Sequence, residues 1–227
     1  MAHASGSAEP RTPVSKIRVS KRFLVATEWA AQHHALRADT ASRRMTPSLG
    51  QVLGIASLVL EDGGTEREAI AAMILDALGD DRPAKAEIRA LFGKKVARLV
   101  RGGAIVRPDP RHLRDPAAWQ ERRAQSLRRL EQDPDASLVR VRAADTLREL
   151  RVLVTDLRRH GSIAFARFPT PPAEQLAYYR DLLAVCTQRL PRGHLTQELR
   201  AIVTEMERLV ELDTATAAWR VAHVDAA

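Results

Sequence analysis

The sequence predicts an all-α fold, a single-domain helical bundle, on three observations. Apolar residues make up 45% of the 227-residue chain, which is enough for one domain with its own core. Only 4% of the residues are aromatic, so the core must be built mainly from aliphatic side chains. These side chains recur at helical spacing along most of the chain. We therefore expect one helical domain over residues 19–213.

Both ends of the chain are predicted to lie outside this domain. Residues 1–18 are small, polar and proline-bearing, which is typical of a flexible N-terminal tail. Residues 214–227 are expected to form a frayed C-terminal tail.

The first two helices are bounded by residues that favour helix ends. One helix is predicted from about Ser20 to Arg37 and is followed by a loop rich in Arg and Thr. Pro47 is suited to open the next helix. This helix should stop at Gly63 and Gly64, because glycine readily adopts the left-handed conformation of helix ends.

A capping box marks the start of the third helix. Thr65 and Glu68 can satisfy free backbone N–H groups at the start of a helix that runs from Glu66 to about Leu78. Asp80 to Pro83 should break this helix. The remaining predicted segments are short helices at 84–91 and 94–101, a proline-rich loop at 102–116, and helices at 119–131, 135–160, 172–190 and 195–212.

The composition argues against a secreted or membrane-spanning protein. Cys186 is the only cysteine, which excludes an internal disulfide, and its apolar surroundings in the sequence predict a place in the core. The longest early apolar stretch, 23–26, is too short for a signal peptide. No run approaches the ~20 apolar residues of a membrane span. We expect a cytoplasmic protein without a membrane partner.

The net charge of +8 leaves two interpretations open. Such a charge can attract nucleic acid through its phosphates. It can also reflect the codon usage of a GC-rich genome, because nearly all the cations are Arg and the chain contains no Asn. No aromatic residues alternate with the basic ones as single-strand readers require, so a nucleic-acid partner is the less favoured interpretation.

Several segments resemble, in order, those of one enzyme family. They are SLVLEDGGTEREAIAAMILDALGDD at 57–81, EIRALFGKKVARLVRG at 87–102, RAADTLREL at 142–150 and YYRDLL at 178–183. Over residues 23–212 the chain resembles HD-domain phosphohydrolases, in particular bacterial relatives of the RelA/SpoT-type (p)ppGpp hydrolases. The resemblance implies an all-α fold of the HD-domain type.

The resemblance also implies where the family's metal ligands fall. These enzymes hold a divalent metal, usually manganese, with a His, a His-Asp pair and a later Asp, and the metal activates water against a phosphoester. The two His positions are Gln51 and Leu75 in this chain. The two Asp positions are kept as Asp76 and Asp145. A Leu side chain can neither bind a metal nor form a hydrogen bond. We therefore expect no metal site, and we interpret both Asp residues as remnants of the family's site.

Other pocket positions of the family have changed as well. The Glu-Asp pair that relatives place one turn after the His-Asp pair is here Gly79 and Asp80. Where relatives carry Lys, His and Asn after the later Asp, this chain carries Thr146, Arg148 and Glu149. So many changes among pocket residues, with the packing pattern kept, are typical of a scaffold released from catalysis.

The two retained acidic residues raise the question of what balances their charge. Asp145 lies on the apolar stripe of its helix and should point inward, where an unpaired carboxylate is costly. We hypothesise that Arg148 or Arg142 supplies the missing positive charge. Asp76 and Asp80 share a helix face, and they either attract a cation or form a solvated helix end.

Four residues are candidates for anion binding. The resemblance matches His34 to a His on the family's first helix, and Arg43 and Arg44 to a basic pair at the nucleotide-binding mouth. Since Arg binds phosphate bidentately, these residues and Arg148 form a candidate site for a nucleotide or another phosphorylated small molecule. The alternative is that they are ordinary helix and loop residues.

The sequence therefore predicts a catalytically degenerate, (p)ppGpp-hydrolase-like protein. This pseudoenzyme would bind an anion or act as an interaction scaffold, without a cofactor and without metal-dependent hydrolysis. One alternative is a weakly active nucleotide phosphohydrolase that uses Mn or Mg. The other is a nucleic-acid binder driven by charge.

Overall fold

The computed structural model describes residues 20–41, 48–78, 85–105 and 115–224, and their side chains within 20–33, 49–78, 86–105 and 115–216. These residues form eight α-helices and one 3-10 helix, and none of them lies in a strand. The α-helices are α1 (Lys21–Ala41), α2 (Ser48–Glu61), α3 (Glu66–Leu78), α4 (Lys85–Gly103), α5 (Pro116–Gln132), α6 (Ala136–His160), α7 (Pro172–Arg189) and α8 (His194–Val224). The 3-10 helix, Gly161–Arg167, lies between α6 and α7. The predicted all-α fold is confirmed.

Helix α3 is the centre of the fold. It packs against α1, α2, α4 and α6, while α7 and α8 pack against α6. Its side chains from Ala69 to Leu75 are buried without interruption. A helix that is apolar on all sides must be surrounded by other elements. Helix α3 therefore fixes how the helices that carry the candidate site residues lie relative to one another.

The capping box predicted at the start of α3 is confirmed, and it belongs to a larger ionic network. The Glu68 carboxylate accepts a hydrogen bond from the backbone N–H of Thr65 at 2.7 Å, and the Thr65 hydroxyl accepts one from the Glu68 N–H at 3.4 Å. Arg140 donates to Glu68 at 2.6 Å and to Asp62 at 2.8 Å. Asp62 also accepts the N–H of Leu195 at 2.9 Å. The network joins α3, α6 and the start of α8 to the turn after α2.

Glycines end or interrupt helices where the sequence predicted it. Gly63, with φ 76°, follows the end of α2. Gly93, with φ 87° and ψ 172°, divides α4 into two helical parts, in agreement with the two short helices predicted there. Helix α6 is capped by the Asp135 side chain and ends at Gly161, as predicted.

Two helices continue beyond their predicted ends. Helix α1 extends past Arg37 to Ala41, and α8 extends past Leu212 to Val224, so the end predicted for the last helix was wrong. The hydroxyl of Thr214 bonds back to the carbonyl of Val210 at 2.9 Å, which keeps this polar side chain compatible with the helix. The predicted tail at 1–18 and the predicted break at Asp80 to Pro83 lie outside the described residues.

The core is aliphatic, as the composition indicated. Its largest cluster is made mostly of Leu, Ile, Val and Ala side chains, and Cys186 is fully buried within it. Burial raises the pKa of the Cys186 thiol to about 12, which keeps it protonated and unreactive. Among the residues that the structure describes, no helix has the length and apolarity needed to cross a bilayer.

Candidate functional site

The four residues that the sequence matches to the family's metal ligands lie on three neighbouring helices. Gln51 is half-buried on α2, Leu75 and Asp76 follow one another on α3, and Asp145 lies on α6. Helix α3 packs against both α2 and α6. The two carboxyl groups are close enough that the charge of Asp76 contributes to raising the pKa of Asp145.

Asp145 forms an ion pair with Arg142, one turn earlier on the same helix. The Arg142 guanidinium donates from one terminal nitrogen to the Asp145 carboxylate. Its other terminal nitrogen lies 3.3 Å from the hydroxyl of Tyr178 on α7. Both side chains of the ion pair are largely buried, with 6% of Arg142 and 17% of Asp145 exposed. Of the two arginines proposed from the sequence to balance Asp145, Arg142 makes the direct contact.

Arg148 pairs with the other retained acidic residue. Its Nε donates to Oδ1 of Asp76 at 3.1 Å, from α6 to α3. Only 20% of the Arg148 side chain and 13% of the Asp76 side chain are exposed. Asp76 is therefore a paired, mostly buried residue, and of the two predicted alternatives the solvated helix end does not describe it.

The environment of Asp145 favours the protonated, neutral form of its carboxyl group and so raises its pKa. Burial is the largest effect and raises the pKa of Asp145 to about 6, with the negative charges of Asp76 and Glu149 acting in the same direction. Arg142 and Arg148 act in the opposite direction. The carboxyl group is thus held between two arginines and two acidic residues, and its pKa lies well above that of an ordinary Asp.

Leu75 is part of the hydrophobic core at this site. Its side chain is 4% exposed. A Cβ atom added to Gly103, at the end of α4, would lie 2.9 Å from Cδ2 of Leu75, closer than such contacts allow. The main chain of α4 thus approaches Leu75 directly, and a side chain at position 103 would force the Leu75 methyl group to shift.

A layer of aromatic residues around Arg123 borders the site on the side of α5 and α7. The Arg123 guanidinium carbon lies 3.9 Å from the ring centroid of Tyr178 and 4.2 Å from that of Trp119. The neighbouring Tyr179 donates from its hydroxyl to Glu149 at 3.2 Å. Both tyrosines are buried. The contacts of Arg123 with aromatic rings were not predicted, although WQERR and YYRDLL together supply the residue types that a cation–π cluster requires.

Several predicted site residues lie outside the part of the chain that can be described. Gly79, Asp80, Arg43 and Arg44 fall in undescribed segments, and His34 lies in α1 with an undescribed side chain. Within the described side chains, no group of three or more His, Cys, Asp and Glu residues is arranged to hold a metal ion. The predictions on a metal site and on anion binding stay predictions.

A family model for the HD domain matches residues 26–168 of this chain. The chain belongs to the HD-domain family. The match covers more than half of the chain and runs from α1 to just after the 3-10 helix. It includes α2, α3 and α6, which carry Gln51, Leu75, Asp76 and Asp145. The resemblance to HD-domain phosphohydrolases is confirmed at the level of this superfamily.

Solved structures share the HD-domain fold. The protein lmo0812 from Listeria monocytogenes EGD-e is 22% identical, with a TM-score of 0.55 over 67% of this chain and 96% of its own. A metazoan ortholog of SpoT that hydrolyses ppGpp is 18% identical, with a TM-score of 0.57 over 83% of this chain and 97% of its own. At these identities the likeness shows the fold alone. No curated protein matches the chain.

Proposed function

We propose that this HD-domain protein is catalytically degenerate and acts as a binding or interaction scaffold without metal-dependent hydrolysis. The observation that carries the proposal is the pairing of both retained acidic residues with arginines of α6. Arg142 donates to Asp145, and Arg148 donates to Asp76. In a hydrolase of this family those two carboxylates would bind the metal.

The residues present do not fit a divalent metal ion. A guanidinium beside each carboxylate opposes the approach of a second cation, because like charges repel strongly where water is excluded. Leu75 offers no lone pair in the place of an imidazole, and it is packed against the main chain at Gly103. Gln51 offers only a neutral amide oxygen. These features support the loss of the metal and of the water activation that depends on it.

A nucleotide-like anion is the ligand class that the remaining features support. Arg43 and Arg44 match a basic pair at the nucleotide-binding mouth of the relatives, and planar guanidinium groups bind phosphate through two parallel hydrogen bonds. The metazoan ortholog of SpoT acts on ppGpp, so ppGpp is a suitable probe. We propose that this chain can retain the anion contacts after loss of the hydrolytic centre.

Hydrolysis by the unmodified protein is the direct test. The purified full chain is incubated with ppGpp and Mn²⁺, with and without EDTA, beside the double variant Asp76→Ala/Asp145→Ala. We expect no difference in turnover among these samples. Hydrolysis that EDTA abolishes and that the double variant lacks would refute the proposal.

Restoring the lost ligands tests which residues account for the loss. The variant Gln51→His/Leu75→His is compared with the parent chain, and a third form adds Arg148→His to remove the guanidinium from Asp76. We expect Mn²⁺ binding by calorimetry only when the imidazoles are restored and Arg148 is replaced. Circular dichroism shows whether each variant remains folded. Tight stoichiometric Mn²⁺ binding by the parent chain would contradict the proposal independently of the variants.

Binding of ppGpp is measured separately, in EDTA, so that it does not depend on hydrolysis. We expect calorimetric binding by the parent chain and a loss of affinity in Arg43→Ala/Arg44→Ala. The control is Arg158→Ala/Arg159→Ala, which removes the same charge from the exposed end of α6. Equal losses in both variants would indicate general charge attraction and would contradict a nucleotide site at the basic pair.

A further inference from the structure

Three buried side chains at the junction of α5, α6 and α7 carry a polar atom that forms no hydrogen bond with any described residue. These atoms are Nη1 of Arg123 on α5, and Nε of Arg142 and Oγ1 of Thr146 on α6. The three residues are 7%, 5% and 0% exposed. Buried polar atoms of folded proteins almost always have a hydrogen-bond partner, so each of these atoms calls for one.

The three residues surround Tyr178 of α7. The guanidinium carbon of Arg123 lies 3.9 Å from the centroid of the Tyr178 ring, and Nη2 of Arg142 lies 3.3 Å from its hydroxyl. Thr146 lies between Arg142 and Glu149 on one stripe of α6. Oε1 of Glu149 in turn lies 4.0 Å from Nη2 of Arg123. We call Arg123, Arg142 and Thr146 the arginine-threonine cluster.

The hydroxyl of Thr146 makes no bond to its own helix. A threonine inside a helix can donate to the carbonyl four residues earlier. Thr27, Thr155, Thr187 and Thr214 do so in this protein, at 2.8–3.0 Å. Thr146 does not, although its side chain is fully buried. Its hydroxyl hydrogen is therefore available to a bound molecule.

The arginine-threonine cluster supplies donors and needs an acceptor. Nη1 of a guanidinium carries two N–H groups, Nε carries one, and the threonine hydroxyl supplies another hydrogen. A water molecule accepts about two hydrogen bonds and must also place two hydrogens of its own. An anion accepts from all of these groups and donates to none. The surplus of donors therefore favours an anion over water.

The charges around the cluster also favour an anion. Arg142 is paired with Asp145, so its charge is already balanced. For Arg123, the only described carboxylate within 4.0 Å is that of Glu149, which is 38% exposed and accepts a hydrogen bond from Tyr179. A buried guanidinium with so distant a counter-charge is costly. One negative charge beside Nη1 of Arg123 would lower this cost.

We propose that the arginine-threonine cluster binds one small monovalent anion, such as chloride, between Arg123 and Arg142, with the Thr146 hydroxyl as a further donor. The three donor atoms are buried, so the ligand must be as small as a halide ion. This inference goes beyond the proposed function, because it uses neither the basic pair Arg43 and Arg44 nor the loss of the metal. Either one can fail without the other.

Thermal denaturation of the full chain at constant ionic strength tests for the anion. Sodium chloride replaces sodium gluconate, whose anion is too large for the cluster, over a concentration series. The baseline is Arg123→Lys, which keeps the positive charge but lacks Nη1. We expect the melting temperature of the parent to rise with chloride relative to this baseline, because a ligand that binds only the folded state stabilises it. A parent that responds to chloride no differently from Arg123→Lys overturns the proposal.

The Thr146 hydroxyl is tested by Thr146→Val, which removes it with little change of volume. We expect the apparent affinity for chloride to fall about tenfold or more, as for the loss of one hydrogen bond to a charged group. The matched control is Thr155→Val on the same helix, whose hydroxyl donates to the carbonyl of Arg151 at 2.8 Å. It should keep the affinity of the parent. Equal losses in the two variants would contradict a site at Thr146.

Crystallography of the full chain in sodium bromide locates the ligand, because anomalous scattering distinguishes bromide from water. We expect a bromide ion bonded to Nη1 of Arg123 and Nε of Arg142. A water molecule or a protein atom in this place overturns the proposal. A bromide peak without the chloride effect in solution would be an adventitious ion only and would overturn it as well.

Discussion

Arg148 on α6 reaches Asp76 on α3, with 3.1 Å between Nε and Oδ1. The pair bridges two helices at the residue that the sequence matches to the Asp of the relatives' His-Asp pair. Asp76 is therefore held by a cation of the chain itself. In this protein the pairing contributes to the packing of α3 against α6, and that contribution can be measured.

Replacing Arg148 with Ala should destabilise the fold. The change removes the guanidinium from a carboxylate that is 13% exposed, and we expect a loss of about 1–3 kcal/mol in the free energy of unfolding. Urea denaturation at neutral pH measures this loss. The control is Arg151→Ala on the same helix, whose exposed pair with Glu198 should contribute less than about 1 kcal/mol. Equal stability of the two variants would show that the pair with Asp76 stabilises the fold no more than an exposed surface pair does.

Asp145 should give the stability a distinctive dependence on pH. Burial, together with Asp76 and Glu149, raises its pKa from 3.8 to about 6, so between about pH 4 and pH 6 the folded protein binds a proton that the unfolded chain has released. The stability from this group is complete below about pH 4 and is lost as the pH rises through about 6. The contribution of Asp145 to the free energy of unfolding should fall by on the order of 2–3 kcal/mol over this pH range.

The variant Asp145→Asn isolates that contribution, because an amide does not titrate. The free energy of unfolding is measured from pH 4 to pH 8 for the parent and the variant. We expect the difference between the two curves to change from about pH 4, through the pKa of about 6, and to become flat about one unit above it. A flat difference for Asp145→Asn would mean that its pKa is not raised.

Arg140 should be among the most costly single residues to replace. It donates to Asp62 and Glu68, whose side chains are 0% and 3% exposed. Arg140→Leu leaves both carboxylates buried without this cation, and we expect a loss of about 3–5 kcal/mol in the free energy of unfolding. The control Arg158→Leu removes an exposed pair with Glu205 and should cost less than about 1 kcal/mol. Thermal denaturation of both variants checks the prediction.

Gly103 and Leu75 should be energetically coupled. A Cβ at position 103 would lie 2.9 Å from Cδ2 of Leu75, so Gly103→Ala should cost about 1–3 kcal/mol through overpacking. In the background of Leu75→Ala the same change should cost less, because the obstructing atom is gone. A double-mutant cycle measures this coupling. Strict additivity of the two changes would show that the two residues do not compete for space.

Local chemistry made much of the fold predictable from the sequence. The capping box of Thr65 and Glu68, the turn at Gly63 and the end of α6 at Gly161 each depend on residues within a few positions of one another, and all three were predicted correctly. The pair of Arg142 and Asp145 is also local, at a spacing of three residues. The resemblance to HD domains supplied the remaining long-range arrangement of helices.

Contacts between residues far apart in the sequence were harder to predict. Arg148 was considered as a partner for Asp145, three residues away, and instead donates to Asp76, 72 residues away. The link from Arg140 to Asp62 spans 78 residues and was missed. Which of two nearby arginines pairs with which carboxylate depends on how α3 and α6 are rotated against each other, and the helical period of one segment does not determine that rotation.

Because Asp76 and Asp145 pair with arginines of the chain itself, the stability of the domain need not depend on a bound metal ion. A bound ion can be stripped by a chelator or run short in a starved cell, whereas a guanidinium is synthesised with the chain and stays charged at any physiological pH. Neutralisation of these two aspartates therefore does not vary with the supply of trace elements.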